Sequence, residues 1–160
     1  MRRVLAVMIL LLATAWAQQE RTHRVTPECR AYDGELRGFN CSFQPAGLGN
    51  PAISVNLTGK AGEPPKLSAF HGVTLYYGQP RDWRFADTTS MTAQGSSPRF
   101  GTAYEIKASS RWRDSERKET FGLQISLVVA IQTVNGKDTY TPLGDGTVTV
   151  RDARSATSHN

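Results

Sequence analysis

The side chains able to do chemistry in this sequence are few and scattered. Of the 3 histidines, His23 and His159 sit in polar stretches toward either end of the chain, and only His71, just before Gly72, falls among apolar runs. No two have the spacing of a zinc motif, and no cysteine or carboxylate cluster supplies the missing ligands. His71 therefore reads as an exposed turn residue, and no metal or other cofactor is expected. Carboxylates offer one reaction class. Glycoside hydrolysis needs two of them flanking the scissile bond, and Asp82, Asp87 and Glu105 are the candidates for a secreted glycan hydrolase. Asp114, Glu116 and Glu119 are interleaved with Arg111, Arg113, Arg117 and Lys118, the pattern of a solvated charged hairpin. No glycine-rich phosphate loop precedes a helix, and no Gly-x-Ser-x-Gly elbow occurs. The balance favours a protein that is not an enzyme.

Recognition has better material. Tyr76, Trp83 and Phe85, with Arg81 and Arg84 between them, form an aromatic and basic island, the amphipathic residue types enriched where proteins bind. This group is the candidate binding site for a protein or glycan. Nucleic acid is not an expected partner. Lys107, Arg111 and Arg113 share one strand face with Glu105, which breaks the continuous basic stripe such a partner requires.

The positive charge also overstates the case, because part of it lies in a leader. Arg2 and Arg3 precede an apolar run over residues 4–15, and Ala15-Trp16-Ala17 closes it with a small-x-small site. This is the pattern of a secretory signal peptide, residues 1–17. Its removal lowers the formal net charge from +5 by two. The apolar run falls short of the roughly 20 residues of a membrane span, so no stable membrane insertion is expected after cleavage. The protein should be secreted or periplasmic. In such a compartment Cys29 and Cys41, the only cysteines, are expected to form a structural disulfide.

The elements that must position these residues are strands. Phe121, Leu123, Ile125, Leu127, Val129 and Ile131 alternate with Gly122, Gln124, Ser126, Val128, Ala130 and Gln132, the period of a half-buried strand. Asn135-Gly136 then tolerates the positive φ angles of a tight hairpin turn, and the chain returns through Thr139 to Thr141, pauses around Gly144, and resumes from Thr147. Tyr104, Ile106, Ala108, Ser110 and Trp112 form the same pattern and should pair with the long strand. Further alternation occurs at Phe39, Cys41 and Phe43, at Ile53, Val55 and Leu57, and at Val73, Leu75 and Tyr77. A hairpin turning at Asp33-Gly34 should carry the disulfide.

Short strands at this frequency, separated by glycine and proline, indicate an all-β antiparallel sandwich of about seven to nine strands, with a closed barrel as the alternative. The arrangement resembles the immunoglobulin-type sandwich in architecture, without its central cysteine, tryptophan and cysteine spacing. Residues 18–28 are expected to form a flexible mature N-terminus, residues 29–151 a single β domain, and residues 152–160 a disordered tail. Residues 78–101, rich in glycine, proline, serine and threonine, are expected to form a long loop carrying the binding group. The combined reading is an exported, non-enzymatic module for cell-envelope binding or assembly. An intact-mass measurement on the exported protein should give a chain that begins at Gln18; retention of residues 1–17 would remove the export reading.

Overall fold

The computed structural model describes residues 19–44, 51–68, 73–76, 83–114 and 119–153. Within them the chain forms two antiparallel sheets that do not close into a barrel, a β-sandwich. The strands in chain order are β1 (Gln19–Val25), β2 (Glu28–Ala31), β3 (Gly38–Ser42), β4 (Ala52–Thr58), β5 (Lys66–Leu67), β6 (Val73–Tyr76), β7 (Trp83–Phe85), β8 (Thr88–Ser97), β9 (Gly101–Asp114), β10 (Glu119–Val134), β11 (Lys137–Pro142) and β12 (Gly146–Ala153). The first sheet runs β1-β12-β10-β9-β8 and the second β2-β3-β4-β6-β7.

The long alternating strand is the axis of the first sheet. One side of β10 pairs with β9 from Glu119↔Asp114 to Ile131↔Thr102. Its other side is shared: β12 pairs with residues 120–126 and β11 with residues 129–134. Between those two partners the Leu143 N–H donates to the Val128 carbonyl (2.8 Å), so the ladder crosses the interruption. The turn from β10 to β11 has Asn135 at φ 52° and Gly136 at φ 74°, both in the left-handed region that this tight hairpin requires. The second sheet repeats the device, with β5 and β6 lying in succession along one side of β4.

The core lies between the sheets. Ile106, Leu123, Ile125, Leu127, Val129 and Val148 face Phe39, Cys41, Phe43, Ile53 and Val55, and all are essentially excluded from solvent. Each such aliphatic or aromatic side chain contributes about 1.5–3 kcal/mol on burial. The alternation read from the sequence thus becomes the inner faces of both sheets. Ala130 is buried as well although it lies in the outward register, since its methyl group sits between Ala103 of β9 and Thr141 of β11.

Cys29 and Cys41 are directly opposed in the β2–β3 ladder and are joined by a disulfide. The link braces the hairpin and places Cys41 in the core.

Three expectations are corrected. Of the expected flexible arm, residues 18–28, the stretch Gln19–Val25 is strand: β1 pairs in register with β12 from Gln19↔Asp152 to Val25↔Gly146. Its polarity has a physical reason. An edge strand buries only part of one face, so Glu20 can meet Arg151 (2.9 Å) and Thr22 can meet Thr149 (2.9 Å) while Val25 packs against the core. His23 is in this strand too, its Nε2 buried without a hydrogen-bond partner. Residues 83–101 are likewise not one long loop, because β7 and the whole of β8 fall within them. Here also an edge strand lacks clear alternation: only Thr89 and Met91 are half-buried in the first part of β8, and residues 92–97 are exposed. At the other end β12 extends to Ala153, so part of the expected tail is strand. Residues 1–17 and 154–160 lie outside the described residues.

Replacing both cysteines with serine should preserve the far-ultraviolet spectrum of a β protein while lowering stability by about 3 kcal/mol, the chain-entropy value for a short closed loop. Denaturant unfolding would measure it.

Candidate binding surface

Arg37 precedes β3 and shares the core-facing parity of Phe39 and Cys41, while Asp138 on β11 shares the parity of Tyr140. The sequence therefore directs two opposite charges from different sheets toward one another. Arg37 Nε donates to Asp138 Oδ2 (2.6 Å), and the two side chains are only 9% and 3% exposed. The rest of each group is satisfied. Arg37 Nη1 donates to the Thr58 carbonyl (3.2 Å) and Nη2 to the Glu63 carbonyl (2.8 Å), while Asp138 Oδ1 accepts from Thr133 Oγ1 (2.6 Å). One step deeper, Phe39 and Tyr140 stack with ring centroids 4.5 Å apart.

The backbone is held as firmly. The Arg37 carbonyl accepts the Leu57 N–H (2.8 Å), and the Gly38 carbonyl accepts the Tyr32 N–H (3.0 Å). Gly38 has φ 154°, and a Cβ there would run into the Val55 carbonyl and the Tyr32 ring. The position thus excludes a side chain so that Tyr32 can fold over it.

Around this clasp the turns of both sheets form one pole of the sandwich. A cleft of about 600 Å³ opens between the β2–β3 and β10–β11 connections, lined by Tyr32, Asp33, Glu35, Leu36, Lys60, Lys137 and Tyr140 among others. A smaller cleft of about 280 Å³ lies beside it, lined by Pro64, Pro65, Tyr104, Ile131 and Thr133. Arg37 contributes to the walls of both. Leu36 (74% exposed), Val134 (47%) and Phe100 (42%) are large apolar side chains left to solvent, each in or next to a turn at this pole. The Arg99 guanidinium lies 5.0 Å from the Phe100 ring centroid.

Burial shapes the protonation of two phenols here. It pushes Tyr140 up to about 12, reinforced by the charge of Asp138 and opposed by Arg37 and the Gly38 backbone. Tyr32 is raised by burial too, with its hydrogen bond to Ser54 opposing.

The described residues among those nominated from the sequence are placed elsewhere. Tyr76 and Trp83 are register partners across the β6–β7 ladder, as are Leu75 with Arg84 and Thr74 with Phe85. Arg81 lies outside the described residues. The register thus brings Tyr76 and Trp83 together at one edge of the second sheet. Tyr76 pairs with Ala52 at one end of β4, whereas Thr58 at the other end reaches Arg37; those six residue steps span roughly 20 Å. The island and the pole are separate regions.

The two described hydrolase candidates, Asp87 and Glu105, do not converge. Asp82 lies outside the described residues. Asp87 Oδ2 accepts the Arg111 N–H (2.8 Å), while Glu105 pairs with Lys107 (3.0 Å). Arg111 and Glu105 lie six residues apart on one strand, or roughly 20 Å. The two glycosidase geometries require carboxyl groups about 5–9.5 Å apart. Among the described residues no group of three or more His, Cys, Asp or Glu side chains could hold a metal ion. Comparison with known proteins found no matching family model, no matching curated protein and no matching solved structure.

The residues at the pole were missed because each charge looks ordinary alone. The available signal was parity: Arg37 and Asp138 both stand where an alternating strand puts its core residues.

Removing one member of a satisfied buried ion pair strands the other, at a cost of about 3–5 kcal/mol. Asp138→Ala should lose stability on that scale in denaturant unfolding, and the double variant Arg37→Met, Asp138→Leu should recover much of it. The raised Tyr140 has a further consequence. The unfolded phenol ionises near its ordinary value of 10.0, whereas the folded one holds its proton to about 12. Its contribution is complete below the lower value and is lost as pH rises through the upper one. Tyr140→Phe should show a smaller fall in stability than wild type across that window.

Proposed function

We propose that this chain is an exported, non-enzymatic β-sandwich that acts in cell-envelope binding or assembly, with the Arg37–Asp138 pole as its recognition surface. The observation that carries this reading is the 600 Å³ cleft built over a buried ion pair whose every side-chain nitrogen and oxygen has a hydrogen-bond partner. A surface held in place before binding loses less conformational freedom on association. Leu36, Val134 and Phe100 supply exposed apolar area beside it, which favours a protein component of the envelope over a glycan as partner. The leader pattern and the Cys29–Cys41 disulfide support export to a secreted or periplasmic location. The hydrolase reading is the weaker one, since Asp87 and Glu105 are engaged in separate local contacts.

Tyr76, Arg81, Trp83, Arg84 and Phe85 remain the competing contact region, and one experiment separates the two. Purified mature protein would be sedimented with isolated envelope fragments of the source organism, before and after protease treatment of the fragments. The wild type should co-sediment with untreated fragments only. Leu36→Asp should weaken retention about tenfold or more, the scale of a hot-spot truncation, and Trp83→Ala should leave it unchanged. Loss with Trp83→Ala alone would move the site to the β6–β7 edge. No retention of the wild type would overturn the proposal.

A further inference from the structure

A sandwich that stays open has edge strands, and each presents unpaired N–H and C=O groups on alternate residues. Among the described residues four strands stand at the ends of the sheet orders: β1, β8, β2 and β7. Three carry features that discourage pairing with another chain. β1 contains Glu20, Arg21, His23 and Arg24; β2 is 4 residues long, contains Glu28 and Arg30, and lies against β11; β7 is 3 residues long and contains Arg84. β8 is different. It runs for 10 residues, Thr-Thr-Ser-Met-Thr-Ala-Gln-Gly-Ser-Ser, without a charge or a proline. Its one irregularity is the bulge between Ala93 and Gly95, which leaves residues 88–93 as a regular run.

We propose that β8 is a self-association edge, pairing antiparallel with β8 of a second copy of this chain about a two-fold axis. Opposed residues in an antiparallel ladder share a sheet face, so the axis must pass midway between a residue and its own copy. With Ser90 opposed to the second copy's Ser90, Thr88 meets the second copy's Thr92 on the outer face, and Thr89 meets the second copy's Met91 on the inner one. The outer rows are then hydroxyl beside hydroxyl. On the inner face Met91, already packed against the core, continues the apolar layer across the axis.

Neighbouring charges do not oppose this. Lys107 lies opposite Ser90 in the β8–β9 ladder, so the two copies of Lys107 stand three strand spacings apart, roughly 14 Å. That exceeds the screening length of about 8 Å at physiological salt. A foreign peptide is a poorer occupant, because specificity in strand addition comes from pockets for alternate side chains. The outer face of β8 offers instead the short hydroxyls of Thr88, Ser90 and Thr92. Like-with-like pairing needs no pocket, and two-fold dimers are the commonest closed assembly.

Sedimentation equilibrium of the mature protein, from micromolar to high micromolar concentration, tests the proposal. The wild type should dimerise reversibly. Ser90→Lys and Ser90→Glu, each placed at an exposed position, should keep the wild-type circular dichroism spectrum and melting temperature while raising the dimer dissociation constant at least tenfold. An equimolar mixture of the two should restore the dimer, which neither forms alone. A wild type that is monomeric throughout would overturn the proposal. So would a dimer undiminished in both folded variants. If either variant unfolds, amide exchange of the wild type decides: protection of β8 that rises with protein concentration supports the edge, and protection independent of concentration refutes it.

Discussion

The two sheets meet at one pole through a buried ion pair, and much of the local structure is arranged to satisfy it. Removing a guanidinium and a carboxylate from water is unfavourable unless nearly every donor and acceptor is matched. Matching them recruits the end of β4 through Thr58, the following loop through Glu63, and the end of β10 through Thr133. The partners come from both sheets, so the requirement fixes how the sheets are placed at this end as well as holding them together. The Phe39–Tyr140 stack lies just inside, which makes the pair a cap on the apolar core. A binding surface placed over this cap inherits its order.

The strand layout gives the sandwich two kinds of boundary. In the interior, β10 and β4 each serve two partners in succession along one side, so a short interruption in the neighbouring lane does not open the sheet. At the margins, charge and brevity guard three edges, while β8 has neither. The difference between β8 and β1 arises from composition alone, since both are polar strands on the rim of the same sheet.

Sequence periodicity was informative wherever a strand buries a whole face. The alternation from Leu123 to Ile131, the pairing of β9 with β10 and the Asn135-Gly136 turn follow from residue spacing, and the Cys29–Cys41 link from the cysteine count in a chain with a leader pattern. Periodicity failed at β1 and β8, because an edge strand needs few apolar residues and its stability comes from the ladder with a neighbour distant in sequence. The pole was hidden for another reason. Its cleft joins the β2–β3 turn to the β10–β11 turn, and no local pattern reports which turns of two sheets come together. The parity of Arg37 and Asp138 indicated that each needs a partner without naming it. The aromatic island was readable as residue types, and its pairing of Tyr76 with Trp83 is a property of register.

The pairing of the first described strand with the last has a consequence for the order of folding. Glu20 and Arg151, joined across that ladder, are 131 residues apart, whereas β9, β10 and β11 follow one another through short connections. Contacts between distant segments bear the largest loop-closure cost and tend to form late. The meander β9-β10-β11 is therefore the natural nucleus, and β12 keeps an open edge until β1 arrives. Pulse-labelled amide exchange during refolding would register this as protection of β1 after that of β10. The first of the described strands would be the last to find its place.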